Sequence, residues 1–133
     1  MKKIKLVLHQ PQVNKCIGRE LNLMLNDKAN ILDAIMEVDR VIGGREHFLI
    51  EGYGSFLHMV YNPIEKRFYK QVAVTAYDQN GKIFTVRENL KRELPEGATI
   101  ILIPAGGCIG DWEEAIDYKE FLKAIQTDLG GET

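Results

Sequence analysis

The chain has 133 residues, which fits one domain large enough to bury a hydrophobic core. Hydrophobic residues make up 45% and charged residues 27%, and the net charge is −2, so nothing in the composition implies nucleic acid as a partner. No stretch approaches the ~18 apolar residues of a membrane helix, and the apolar run at residues 4–8 is too short for a signal peptide. We therefore expect a soluble cytoplasmic protein with no membrane partner.

The first third of the chain predicts a β-hairpin followed by a helix. Apolar and polar residues alternate over 4–8 and again over 21–25, as in two half-buried strands. Asn30 is a suitable N-cap, and an acidic residue falls in the first turn that follows it. Apolar residues recur at helical spacing over 31–42, and Gly43-Gly44 predicts the end of that helix.

The middle of the chain predicts short extended segments. Residues 45–61 hold two glycines around a tyrosine, which predicts a bend between two extended pieces, with 56–61 as the better strand. Asn62-Pro63 predicts a turn. The β-rich runs 71–77 and 82–86 flank an Asn-Gly pair, the strongest hairpin signal in this sequence.

The stretch 94–107 reads LPEGATIILIPAGG and is the most informative part of the sequence. Pro95-Glu96-Gly97 predicts a turn, because proline fixes φ and glycine allows positive φ. Ala98–Ile103 is almost wholly apolar and lacks alternation, which predicts a central strand buried on both faces. Pro104 ends that strand because it cannot donate to a ladder, and Ala105-Gly106-Gly107 then leaves the sheet with almost no side chain.

A further 26 residues follow Gly107, and they are acidic where the first 107 residues are mildly basic. Asp111 and Glu114 form a capping-box-like start, and an apolar stripe predicts a helix over 112–129, ending near Gly130. Trp112 is a natural anchor for docking this helix. The acidic tail is either a solvated helix face or a segment that lies on its own domain or on a basic partner.

The predicted order β-β-α-(β)-β-β-β places one helix early in a mixed sheet and defines an α+β fold. A single helix covers one face of such a sheet in the β-grasp, or ubiquitin-like, arrangement, in which the first and last strands are neighbours and parallel. We expect a β-grasp domain over 1–107 with an inserted hairpin within 43–70, and an added C-terminal helix in the extension 108–133.

The turn, hydrophobic strand, proline and Gly-Gly at 94–107 resemble the C-terminal end of the ubiquitin-like sulfur carriers. This family includes the small subunit of molybdopterin synthase (MoaD) and the thiamine sulfur carrier (ThiS), and the resemblance covers roughly residues 3–107. It implies a carrier, not an enzyme, in which the carboxylate of Gly107 is adenylated and converted to a thiocarboxylate. Pro104, Ala105 and Gly106 would then form the partner-binding exit.

The same resemblance implies partners and a pathway. It implies an E1-like activating enzyme of the MoeB/ThiF type and a MoaE-like large subunit, both binding one sheet face near the C-terminus. It implies no bound cofactor, but a role in molybdenum or tungsten cofactor synthesis or in thiamine synthesis.

The chain departs from the family because Gly107 is bonded to Cys108 and has no free carboxylate. Three interpretations remain open. A protease cuts after Gly107 and releases a carrier; or the protein keeps the fold as a non-catalytic interaction module or small subunit; or the terminal Gly130-Gly131 pair is used after Glu132 and Thr133 are removed.

The cysteines and histidines carry no metal signature. Two cysteines and three histidines stand at no spacing typical of a metal site, so we expect none. A strained Gly107–Cys108 bond could undergo an N-to-S acyl shift, but an ordinary small or buried cysteine is the simpler interpretation.

Overall fold

The computed structural model describes residues 1–10, 14–15, 18–43, 50–104 and 113–127. Strands β1 (Lys2–Leu8) and β2 (Glu20–Leu25) form the predicted antiparallel hairpin, with Lys2 opposite Leu25 and Val7 opposite Glu20. Alternate residues of β1 are buried, as a strand with one face on the core requires.

Helix α1 (Ile31–Ile42) begins and ends where the sequence predicts. The Asn30 side chain accepts a hydrogen bond from the backbone of Asp33 at 3.1 Å, and the Asp33 carboxylate accepts one from the backbone of Asn30 at 2.8 Å. This reciprocal capping box satisfies two backbone donors that the helix itself leaves free. Gly43 ends the helix with a left-handed φ of 97°.

The prediction of a strand over 56–61 is wrong, because Phe56–Val60 forms a short helix, α2. All five residues are buried, and a short apolar run does not distinguish a buried strand from a buried helix. Tertiary contacts decide: the carboxylate of Asp39 on α1 accepts hydrogen bonds from the backbone of Phe56 (2.7 Å) and Leu57 (3.0 Å). Ser55 adds an N-cap by accepting from the backbone of His58 at 3.1 Å.

A two-stranded hairpin follows α2 directly. Strand β3 (Tyr61–Asn62) pairs with β4 (Arg67–Phe68), and the predicted turn lies between them. The Asn62 side chain stabilises this turn by accepting from the backbone of Ile64 at 3.0 Å and of Glu65 at 3.2 Å. The segment 43–70 thus holds a hairpin and a helix in its described part.

The main sheet is completed by β5 (Ala73–Tyr77), β6 (Ile83–Phe84) and β7 (Thr99–Ile103). The strand order is β2-β1-β7-β5-β6; β7 is parallel to β1 and antiparallel to β5. The Asn-Gly hairpin is confirmed between β5 and β6, although β6 spans two residues instead of five. Parallel first and last strands at the sheet centre, with α1 packed into the common core, confirm the predicted α+β β-grasp fold.

Burial of β7 on both faces is only partly observed. Ile100 and Leu102 are fully buried in the core, whereas Thr99, Ile101 and Ile103 on the opposite face are half-buried. Alternation is missing from the sequence because β-branched residues also occupy the more open face of this strand.

The predicted C-terminal helix exists but is shorter, since α3 spans Tyr118–Ile125 with Asp117 as its N-cap. Glu114 lies before the helix, because the segment 113–117 is non-helical and bonds to the body of the protein. The predicted apolar stripe included Leu122 and not Phe121, but Phe121 is 2% exposed and Leu122 is 43% exposed. Asp111, Trp112 and Gly130 lie outside the described residues.

The side chain of Lys2, the first residue of β1, links three segments of the chain through hydrogen bonds. This side chain is buried, and its ammonium donates to the backbone oxygens of Asp27 (2.7 Å), Ala29 (3.0 Å) and Leu94 (2.6 Å). One cation therefore joins β1, the β2–α1 connection and the segment that leads into the predicted turn before β7.

Candidate functional site

The C-terminal end of β7 lies at one end of the sheet, between β1 and β5. Ile103 lies opposite Ala73 of β5, and the backbone of His9, just after β1, donates to Leu102 at 3.0 Å. Pro104 is buried directly after the strand. Of the four predicted site residues, Pro104 is described, whereas Ala105, Gly106 and Gly107 lie outside the described residues.

The sheet face that does not pack on α1 carries an apolar centre. Val7, Ile101 and Ile103 are half-buried there, and Val7 lies opposite Ile101. Tyr77 is half-buried near them, and Ile83 is 63% exposed. Polar residues on the same face are Lys3, Lys5 and Thr75. This face adjoins Pro104 and is the candidate docking surface.

Glu113 fixes the tail to the β4–β5 region. The Arg67 guanidinium donates two hydrogen bonds to the Glu113 carboxylate, at 2.8 and 2.6 Å, and the Lys70 backbone donates a third at 2.7 Å. The Gln71 side chain binds the Glu113 backbone twice, donating to its oxygen (2.9 Å) and accepting from its nitrogen (3.0 Å). The bond from Arg67, helped by that from Lys70, lowers the pKa of Glu113 to about 2.

Ile116 is held in the same way, through its main chain. Its nitrogen donates to the Tyr69 hydroxyl at 3.0 Å, and its oxygen lies 2.6 Å from His58 Nε2. Because the backbone of Gly54 donates to His58 Nδ1 at 3.0 Å, we assign the proton of this ring to Nε2. Burial lowers the pKa of His58, against the opposing effects of the Ile116 bond and the nearby carboxylate of Asp117.

Aromatic rings complete the tail contact. The His58 ring lies 5.0 Å from the Tyr118 ring and 4.9 Å from the Phe121 ring, and Tyr53 meets His58 edge-on at 5.9 Å. A Cβ atom on Gly54 would lie 2.5 Å from the ring of Tyr118, so only glycine leaves room for this ring. The tail therefore packs on its own domain, one of the alternatives left open by its acidity.

These contacts hold the chain on both sides of Gly106-Gly107. Pro104 is fixed by the end of β7, and Glu113 by its contacts with β4 and the start of β5. No local sequence pattern indicates the tail-binding residues, since Arg67 and Glu113 are 46 positions apart. The Gly52-Tyr53-Gly54 pattern indicated a bend, but not that Gly54 supports a ring.

The described residues provide no obvious metal centre or membrane segment. No group of three or more His, Cys, Asp or Glu side chains among them is placed to hold a metal ion. His9 contacts Arg19 at 3.2 Å, whereas His47, Cys16 and Cys108 lie outside the described residues. No helix in the part of the chain that the structure describes is long and apolar enough to span a membrane.

The strand order and the packing of α1 on one face of the sheet define a ubiquitin-like β-grasp protein. Two solved structures are similar to it, and the alignment covers 78% of this chain and 98% of each of those chains. One is small archaeal modifier protein 1 from H. volcanii, with 15% identity and a TM-score of 0.49. The other is described as molybdopterin converting factor, subunit 1, from Pyrococcus furiosus, with 19% identity and a TM-score of 0.45. No protein-family model and no curated protein sequence matches the chain.

Proposed function

We propose that this chain is the precursor of a ubiquitin-like sulfur carrier related to the small subunit of molybdopterin synthase. The observation that carries the proposal is the position of β7. This strand is central, parallel to β1, and ends at Pro104, immediately before Ala105-Gly106-Gly107. A glycine-terminated arm released at this point would extend from the middle of the sheet, and its lack of side chains would suit a narrow enzyme channel.

The carrier chemistry requires a cut after Gly107. Hydrolysis of the Gly107–Cys108 amide by a protease gives a free carboxylate on Gly107 and a free amine on Cys108. An E1-like activating enzyme would then join that carboxylate to the AMP portion of ATP, releasing pyrophosphate. A sulfur donor would displace AMP and leave a thiocarboxylate, the form that passes sulfur to a MoaE-like large subunit.

Two features support the need for processing. In the uncut chain the Gly107 carbonyl belongs to an amide, which is not a substrate for adenylation. The segment that contains it also joins two fixed points, Pro104 and Glu113, so it does not end in a free arm. The apolar sheet face around Ile101 adjoins Pro104, and we propose it as the surface where the activating enzyme and the large subunit dock.

The test compares three forms of the protein with an activating enzyme and ATP: the full-length chain, a chain ending at Gly107, and the same shortened chain carrying Gly107→Pro. We expect pyrophosphate release only from the unmodified chain that ends at Gly107. With a sulfur donor, its mass should rise by the difference between one sulfur and one oxygen. Circular dichroism checks that each form is folded. The carrier proposal fails if the shortened, folded chain releases no pyrophosphate.

A second function is favoured by the strength of the tail contact. Arg67 forms a bidentate salt bridge with Glu113, and the Gln71 side chain forms two hydrogen bonds with the Glu113 backbone. These contacts hold the tail on the domain, as expected if the tail is a permanent part of a non-catalytic interaction module. Mass spectrometry of the protein isolated from its native source separates the two functions. A chain ending at Gly107 supports the carrier, and an intact chain of 133 residues supports the module.

A further inference from the structure

The tail contacts have the form of peptide recognition. Regular helices and sheets satisfy backbone groups with other backbone groups, but side chains do so here. Gln71 binds both the nitrogen and the oxygen of Glu113, and Tyr69 and His58 together bind both backbone groups of Ile116. Binding domains that capture extended peptides likewise pair the main chain and reserve pockets for particular side chains.

The residues that bind the tail backbone and their neighbours also select particular tail side chains. The Arg67 guanidinium matches the two oxygens of a carboxylate at position 113, which an amide or a shorter acid does not reproduce. The bare backbone of Gly54 accepts an aromatic ring at 118, and His58 contacts this ring and the buried ring at 121. The recognised pattern is therefore Glu-x-x-x-x-Tyr-x-x-Phe, with the two rings presented by the first turn of α3.

Removing the tail from these residues would be unfavourable in free energy. Gln71 and His58 are each 2% exposed, and their polar atoms find tail partners at 2.6–3.0 Å. Removing the tail would take away these partners and expose apolar surface around His58, both of which are unfavourable. None of these contacts depends on a covalent connection between Pro104 and Glu113.

We propose that Arg67, Tyr69, Gln71, His58 and Gly54 form a peptide-binding groove, and that residues 113–121 of the chain are its ligand. The tail consequently stays bound as a separate peptide when the chain is cut between Pro104 and Glu113. This inference does not rest on carrier chemistry, because it concerns retention of the tail and not the fate of Gly107.

The test uses the full-length protein with a recognition sequence for a site-specific protease inserted after Gly107. After cleavage under native conditions, size-exclusion chromatography and native mass spectrometry should show both pieces together in a one-to-one complex. A fluorescently labelled peptide with the sequence of residues 113–127 should then exchange into the groove, and a scrambled peptide of the same composition should not.

Matched variants measure the specificity. Glu113→Gln keeps the shape of the side chain but removes its charge, and should speed tail dissociation by about fivefold, as expected for a partly exposed ion pair. Glu114→Gln changes the exposed neighbour and should leave dissociation unchanged. The proposal is overturned if the cut pieces separate while the body stays folded, if the body unfolds on cutting, or if the two variants behave alike.

Discussion

Lowering the pH should weaken the binding of the tail to the rest of the domain. The salt bridge between Glu113 and Arg67 determines the pH range over which this weakening occurs. The pKa of Glu113 falls from 4.5 to about 2 in the folded protein, chiefly because of the bond from Arg67. A lowered carboxyl pKa contributes stability above 4.5, and that contribution is lost as the pH falls toward 2. The shift corresponds to at most about 3 kcal/mol, and solvent screening of this partly exposed pair reduces it to about 1 kcal/mol.

The assay is urea unfolding of the wild type and of Glu113→Gln at a series of pH values. Trp112, the only tryptophan in the sequence, immediately precedes Glu113 and provides the fluorescence signal. The wild type should be more stable by about 1 kcal/mol at neutral pH, and this difference should vanish through the range given above. Glu114→Gln should match the wild type throughout. A difference that stays constant down to the lowest pH, or that never exists, would refute the reasoning.

His58 and Asp39 also titrate near this contact. Every titratable group except Glu113 is the same in the two proteins, so the difference in stability between them isolates Glu113. Burial lowers the pKa of His58 from 6.5, so its contribution is also lost on acidification, beginning below 6.5. Burial raises the pKa of Asp39, which caps α2; this group acts in the opposite sense, favouring the fold more as the pH falls.

Three further predictions test other parts of the molecule. Lys2→Met removes the donor shared by three backbone carbonyls, two of them in buried hydrogen bonds, and should lower the unfolding free energy by about 2–4 kcal/mol, whereas Lys3→Met on the exposed face should change it by under about 0.5 kcal/mol. Gly54→Ala should cost about 1–2 kcal/mol in the wild type but little in a Tyr118→Leu background, and a double-mutant cycle without coupling would contradict the ring contact. Thr75→Arg should keep the fold, as judged by thermal unfolding, yet reduce binding of an activating enzyme at least about tenfold; unchanged binding would remove this face from the docking surface.

Elements specified by local sequence could be predicted. Alternation gave β1 and β2, the Asn30–Asp33 pair gave the start of α1, and the Asn-Gly pair gave the β5–β6 hairpin. Each of these signals acts over a few residues, and the fold preserves it. The position of β7 at the sheet centre followed from its apolar run, although the openness of its second face did not.

The errors arose where distant contacts decide the local structure. Phe56–Val60 is helical because Asp39, 17 positions earlier, accepts from its first backbone donor. Helix α3 begins late because Glu113 and Ile116 are bound to side chains more than 40 positions away. Within this shorter helix Phe121 is the buried residue, and its ring contacts His58, which lies 63 positions earlier in the chain.

The two hydrogen bonds between the Gln71 side chain and the Glu113 backbone have a consequence for sequence divergence. Sliding the tail by a single residue would break both Gln71 bonds and misplace the carboxylate for Arg67, so the alignment of tail and groove admits no insertion between Glu113 and Phe121. Added length between Gly107 and Glu113 breaks none of these contacts, and lengthening a loop costs only about 0.6 kcal/mol for each doubling. Homologous chains that keep this groove should therefore conserve the eight-residue interval from the glutamate to the phenylalanine, while the stretch just after the paired glycines varies freely in length.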